Sequence, residues 1–365
     1  MKVWEWECLT GYLSTCSVVE CGPLHGPVGK FKLTRDEDLK LILETVSPTE
    51  SSSNAPPVLT GTVRMSVEEV RFTGYLGDTA VARGVVPYSL IHSDGATPSD
   101  SFNTEKSQVH TVEWSAAGEQ ETAHTIQWLE NMPDQFVWPH SVDRKRTEGN
   151  TVTYRGDGLN IELNDSSDSR GFSRSCAHLS LDGLELFVVK TGSHEIENIR
   201  SPGFVIYKGS PSDEFQAKVR NILSFCLGQF LVDLGFTYFD QDWRPVYFKG
   251  RSAHTMQGAA FKLVTLPPTL LNSRSYNEID KNTLEHMMKA LWDVYDVLDL
   301  QGVLWAYWHA AAAPAHIAAV HYGAAIESLQ RRYAEQQGTK FKTTLLDADP
   351  WNTLSNQIEK LVSRP

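Results

Sequence analysis

A change of hydrophobic period near residue 209 constrains this chain more than any other feature of its sequence. Upstream, apolar and polar residues alternate over short runs bounded by Gly, Asp or Pro, the two-residue period of half-buried strands. Residues 3–8 and 40–44 alternate in this way, and runs at 58–65, 70–75, 79–88, 109–114, 151–155, 159–163 and 184–190 follow. Many short strands at such spacing predict an antiparallel sandwich or a strongly curved sheet. Residues 47–57 and 94–105 are loops by composition. Residues 122–130 place Ile126 and Leu129 three apart ahead of Pro133 and predict a short helix among the strands. Downstream of 209 the period lengthens. Ser210, Pro211 and Asp213 form a helix-start signal, and Phe215, Val219, Ile222, Cys226 and Phe230 recur every three or four residues. That predicts a long helix ending near Gly235, then a hairpin-like stretch over 236–249 and again near 261–264. A second amphipathic helix is expected over 277–298, a third helical region over 303–335 broken at Pro314, and a last helix over 350–362.

These patterns define an α+β chain, an antiparallel β-rich N-terminal region followed by a mainly helical C-terminal region. The expected division is residues 1–208, a connector of helix plus hairpin at 209–275, and a helical region at 276–365. Charge follows the same division. The chain carries 33 basic and 45 acidic residues, a net charge of −12. Residues 1–210 hold 29 acids and 18 bases, against 16 and 15 in the remainder. A broad grip on nucleic acid needs clustered positive charge, so any polyanion contact is expected only as a local patch in the second half.

Five cysteines without a C-x-x-C pair suit neither a disulfide framework nor a thiolate zinc site. Acids at positions 5 and 7 interrupt what would be a leader's apolar run. Residues 301–326 contain no Asp, Glu, Lys or Arg, but alanine dominates them, Pro314 divides them, and His309, His316 and His321 lie inside. A buried bundle helix is expected there rather than a membrane span, and a cytoplasmic protein.

Motifs for chemistry are sparse. The run from Gly22 to Lys30 lacks the glycine spacing of a phosphate loop, and Pro23 and Pro27 remove two amide donors from it. His309 and His316 share a helix face but sit roughly 10 Å apart on a continuous helix, too far for one ion. Asp240 with Asp242, and Asp347 with Asp349, stand in turn-like contexts where Asp is common. No metal or cofactor is expected. Arg144-Lys145-Arg146 is expected to be a solvated loop, and Tyr322, Ile326, Leu329 and Tyr333 to form a buried stripe beside an exposed Glu327–Arg331 pair.

Glu327, Arg331 and Arg332, following an apolar uncharged helix, resemble the E-x-x-x-K-R motif found in part of the HEPN superfamily. The β-rich front with His124-Thr-Ile-Gln-Trp128-Leu129, and then a helix like residues 220–228, is similar in layout to ApeA-type anti-phage proteins, in which a HEPN domain lies C-terminal. The resemblance implies a β-rich sensor or scaffold joined to a helical bundle whose complete form is a metal-independent ribonuclease. RNA or a phage-derived trigger would be the partner, contacted by Glu327, Arg331 and Arg332. One departure matters. Such ribonucleases cut with R-x4-6-H, and this chain offers only Arg174 with His178 and Arg251 with His254, both too closely spaced. A HEPN domain starting near residue 277 would also run past residue 365. By this reading the chain alone is not a nuclease. The alternative expectation is a non-enzymatic binding protein that forms a homo-oligomer through its helices. A carbohydrate-active sandwich would need two positioned carboxylates that sequence cannot single out.

Overall fold

The computed structural model describes residues 9–48, 52–53, 68–93, 101–118, 121–133, 143–147, 151–156, 159–164, 176–190, 201–253, 279, 281–338, 352–353 and 355–356. A short helix α1 (Leu9–Leu13) precedes β1 (Cys16–Glu20), β2 (His25–Gly26), β3 (Lys30–Arg35), β4 (Leu41–Pro48) and β5 (Ser52–Ser53). Next come β6 (Glu69–Gly74), β7 (Thr79–Arg83), β8 (Val86–Ser93), β9 (Phe102–Val109), β10 (Thr111–Ser115) and β11 (His124–Glu130). Strands β12 (Asp143–Thr147), β13 (Thr151–Gly156), β14 (Leu159–Asn164), β15 (Cys176–Leu181), β16 (Leu184–Lys190) and β17 (Gly203–Lys208) lead into α2 (Asp213–Leu227). The hairpin β18 (Val232–Phe239) and β19 (Pro245–Arg251) precedes α3 (Lys281–Val294), α4 (Leu300–Ala312) and α5 (Ala315–Gln336).

All strand pairs are antiparallel. Ten strands form one sheet in the order β1-β6-β7-β10-β19-β18-β11-β17-β16-β15, and four form a second in the order β3-β4-β9-β8. The two share one core. Leu33, Leu41 and Leu43 of the smaller sheet cluster with Phe72, Trp114, Trp128 and Phe248 of the larger, and the Phe31 and Phe72 rings lie 4.9 Å apart. Alternation accounts for this packing: in β19 the odd positions are half-exposed while Val246, Phe248 and Gly250 are buried. Arg35 links the sheets. Its guanidinium donates to the carbonyls of Leu39 (2.7 Å), Arg251 (2.7 Å) and Leu234 (3.0 Å).

The α+β expectation holds, and several local expectations do not. Residues 124–130 are a strand, not a helix. All seven are buried in the middle of the large sheet, so covering on both faces erased the alternation that identifies a strand. The run 79–88 is two strands in different sheets, separated at Gly84, whose φ of +68° turns the chain from one sheet to the other. In the same way 109–114 joins the end of β9 to β10. Strand β9 begins at Phe102 inside a predicted loop, and Ser52–Ser53 pairs with β2. The backbone of Arg144–Arg146 lies on β12, an edge strand where charged residues are tolerated. Helix α2 is capped by Ser212 rather than Ser210 and stops at Leu227, because Gly228 takes the left-handed C-cap conformation. The expected elements at 3–8, 58–65, 261–264 and 350–362, and the pair Asp347 and Asp349, fall wholly or mainly outside the described residues.

The chain divides into two compact units, residues 1–292 and 293–365. Within the second, α4 and α5 run antiparallel about Pro314. Tyr307 faces Tyr322 and His309 faces His321, each with ring centroids 6.0 Å apart. The predicted stripe on α5 is reversed. Tyr322 (39%), Ile326 (56%) and Tyr333 (58%) are exposed, and Ala325 is the buried position. A helix turns about 100° per residue, so burying the face centred on Ala325 leaves Ile326 and Tyr333 outside and Leu329 half-buried. No helix among the described residues is long and apolar enough to cross a membrane.

Candidate functional site

Glu327 and Arg331 do form an exposed pair on α5 at 3.4 Å, and Arg332 reaches Asp299 (3.7 Å) and Glu335 (3.5 Å). These arginines therefore lie on carboxylates. Because α5 is continuous, His321 is ten residues, about 15 Å, from Arg331, and His316 is farther still. His309 rests against His321, so the histidines gather near Pro314, away from the arginines. Asp240 is consumed by its turn, its Oδ1 accepting the backbone N–H groups of Asp242 (2.9 Å) and Arg244 (2.8 Å). Lys30 starts strand β3 where a phosphate loop would open a helix. His178 meets Glu185 at 2.5 Å on the β15–β16 hairpin. Burial pushes the Cys226 thiol up to about 12; burial, then the charge and hydrogen bond of Asp78, does the same to Cys16. Both stay protonated and poorly nucleophilic. Among the described residues no three His, Cys, Asp or Glu side chains are grouped to hold a metal ion.

The outer face of the large sheet, turned away from the shared core, is richer, and sequence reasoning missed it. Strand register builds it row by row. Thr79, Ser115, Tyr247 and Tyr238 form one row across β7, β10, β19 and β18; Val81, Glu113, Lys249 and Phe236 form the next; Arg83, Thr111 and Arg251 form a third. Directly opposed side chains on neighbouring strands approach within about 5 Å, so each row is a line of contact. The rings of Phe236 and Tyr238 are 4.8 Å apart, and those of Tyr238 and Tyr247 5.5 Å.

Around these rings runs a chain of ion pairs. Arg71 joins Glu20 (3.2 Å) and Glu69 (2.8 Å); Arg83 joins Glu69 (2.9 Å) and Glu113. Lys249 joins Glu113 (3.3 Å) and Asp213 (3.7 Å), and Arg251 joins Asp213 (2.5 Å) and Asp233 (2.6 Å). Arg220 of α2 completes it at 3.2 Å from Asp233. Asp233 is buried, and Gln127 donates to it (3.2 Å) while accepting from the Tyr207 hydroxyl (2.8 Å). Five cations thus meet five carboxylates, so this chain of ion pairs carries no net charge. Burial works to raise the Asp233 and Glu113 carboxyls. Arg220 and Arg251 outweigh it at Asp233, Arg83 and Lys249 outweigh it at Glu113, and both are held below the usual range. Burial raises the Tyr238 and Tyr247 phenols. These shifts all lead away from neutrality. General acid–base catalysis near neutral pH needs the reverse, so these four groups are not poised to transfer a proton there.

No family model, curated protein or solved structure matches the chain.

A strand of the form Pro245-Val-Tyr-Phe-Lys-Gly-Arg251, with Tyr, Lys and Arg at alternate positions, carries a trace of this face in the sequence. Its strand neighbours are β10 and β18, and the farthest partner in sequence is Thr111, 140 residues before Arg251.

Proposed function

We propose that the chain is a non-enzymatic binding protein whose β-sandwich presents the outer face of its ten-stranded sheet to a ligand. The observation that carries this is the half-exposed pair Tyr238 and Tyr247, flanked by a chain of ion pairs that leaves neither a displaced proton near neutrality nor an uncompensated charge within it. Rigid aromatics lose little entropy on binding and supply much contact area. A thermal-shift screen of purified protein against a metabolite and glycan library tests the reading. At least one compound should raise the Tm of the wild type and not that of the Tyr238→Ala/Tyr247→Ala variant; shifts that are equal in both proteins would refute it.

Self-association through the helices belongs to the same proposal. Trp305, Ile317, Val320, Ile326 and Tyr333 are exposed on a two-helix hairpin, and a second copy would complete a four-helix arrangement. Light scattering at tens of micromolar should report a dimer, and Val320→Glu with Ile326→Glu a monomer. A wild-type monomer would count against it.

A second reading, a sensor region attached to a HEPN-like domain in bacterial anti-phage defence, is favoured by the exposed Glu327, Arg331 and Arg332 on α5. In it the arginines contact RNA phosphate or a partner helix, in a cytoplasmic setting. Arg331→Ala with Arg332→Ala should abolish protection of cells challenged with phage; undiminished protection would sink that role.

A further inference from the structure

Beside Tyr238 and Tyr247 the outer face opens into a cavity of about 240 Å³, lined by these two rings together with Ser115, Thr122 and Val246. The cavity is open to the outside rather than enclosed, and an added Cβ at Gly118 on its margin would meet nothing within 4 Å. We infer that this cavity is a saccharide subsite, taking one neutral, hydroxyl-bearing ring stacked on Tyr247 and Tyr238. The inference rests on the binding-face reading above and adds the chemical class of ligand.

Four observations select that class. The first is size. Pockets for drug-sized ligands run from about 300 to 1,000 Å³, so this one admits a single ring with its substituents leaving through the open side. Second, the cavity combines aromatic faces with hydroxyls. Ser115 lies in register beside Tyr247, and Tyr247 beside Tyr238, so three hydroxyl-bearing side chains on adjacent strands point the same way. A pyranose offers a C–H face to the rings and hydroxyls to Ser115, Thr122 and the phenols. Third, charge excludes the obvious rival, a nucleotide or a single nucleic-acid strand. Such ligands need cations free to meet phosphate. Here Arg83, Lys249 and Arg251 are each held between two carboxylates: Glu69 and Glu113, Glu113 and Asp213, and Asp213 and Asp233. Fourth, the phenols stay protonated, because burial and then neighbouring carboxylates oppose their ionisation, and they remain donors to sugar oxygens.

Saturation-transfer NMR on the whole protein tests the subsite. The probes are the methyl pyranosides of glucose, galactose and mannose, with adenosine and cytidine as flat-ring controls, each at about 10 mM, suited to millimolar affinity. At least one glycoside should receive saturation on its ring C–H protons. Tyr247→Ala should weaken that signal about tenfold, the size of one good aromatic contact, while Tyr247→Phe should keep most of it. Should Tyr247→Ala fail to fold, Thr122→Phe fills the cavity from a loop and should abolish the signal equally. Silence from all three glycosides with folded wild-type protein overturns the subsite. So does a glycoside signal that survives both Tyr247→Ala and Thr122→Phe. Nucleoside saturation lost in those variants, with glycosides silent, overturns the ligand class and leaves the binding face standing; thermal shifts indifferent to the tyrosines would instead remove the face itself.

Discussion

Asp233 shows how one residue can hold a face together. Its carboxylate is buried, and three side chains converge on it: Arg220 from α2, Arg251 from β19 and Gln127 from β11. Replacing it by Asn keeps the shape and removes the charge, leaving Arg220, whose side chain is only 14% exposed, without this ion-pair partner. Breaking a buried pair from one side typically costs about 3–5 kcal/mol. Asp233→Asn should therefore lower stability by about 3 kcal/mol in urea unfolding, more than any surface carboxylate removed from the same face. A different residue sets the acid limb of stability. His124 is stacked on Trp243 at 4.2 Å, and burial, with the Lys208 charge against its partial support from Asp240, keeps its pKa below the ordinary value. The folded state thus binds this proton less readily than the unfolded chain. Its contribution is full above about pH 6.5 and is lost as pH falls below it toward the lowered folded value. The urea midpoint should drop between pH 7.5 and 5.5, and His124→Phe, which keeps the stack, should make that drop smaller. An identical drop in both proteins would exclude His124 as its source.

At the scale of elements, the hairpin β18–β19 is decided by a bulge. Register slips between Trp128 and Leu129 of β11, where β11 skips Leu234 and pairs Gly235 and then Asp233 of β18. Gly235 sits at φ +121°, and a Cβ there would lie 1.9 Å from the Lys249 carbonyl oxygen. The bulge turns Asp233 toward Arg251 and Arg220 and so seats the ion-pair chain. Gly235→Ala should cost roughly 2–4 kcal/mol, as strained positions over-determined by their surroundings do, and should abolish the tyrosine-dependent ligand shift as well. A neutral Gly235→Ala would mean the hairpin can repack. Element identity was legible in the sequence where one face meets solvent. In β10 and β19 alternation survives, and α2 and α3 each carry an apolar stripe. It was illegible in β11, whose seven residues are all buried, because a strand covered on both faces has no period left to read.

For the whole molecule, the two compact units predict independent folding of the first. Among the described residues the shared core lies between Tyr12 and Ala253, and α3 buries Leu284 and Met288. A fragment of residues 1–298 should give a β-rich circular dichroism spectrum and unfold in one cooperative urea transition; a fragment that aggregates or unfolds gradually would contradict the division. By itself the sequence determined the α+β class of the fold, the break at Pro314 and the i,i+4 pair of Glu327 and Arg331. Each of these depends on residues near in the chain, whose spacing sets which side they share. Only the tertiary structure decided which strands neighbour one another, and with that the face carrying Tyr238, Tyr247 and the ion-pair chain. Glu69 and Arg251 stand 182 residues apart in sequence, and β7 and β10 place them on one surface. Local spacing holds no record of that, because long-range strand pairing is chosen by the burial of the common core and not by the residues that end up facing outward.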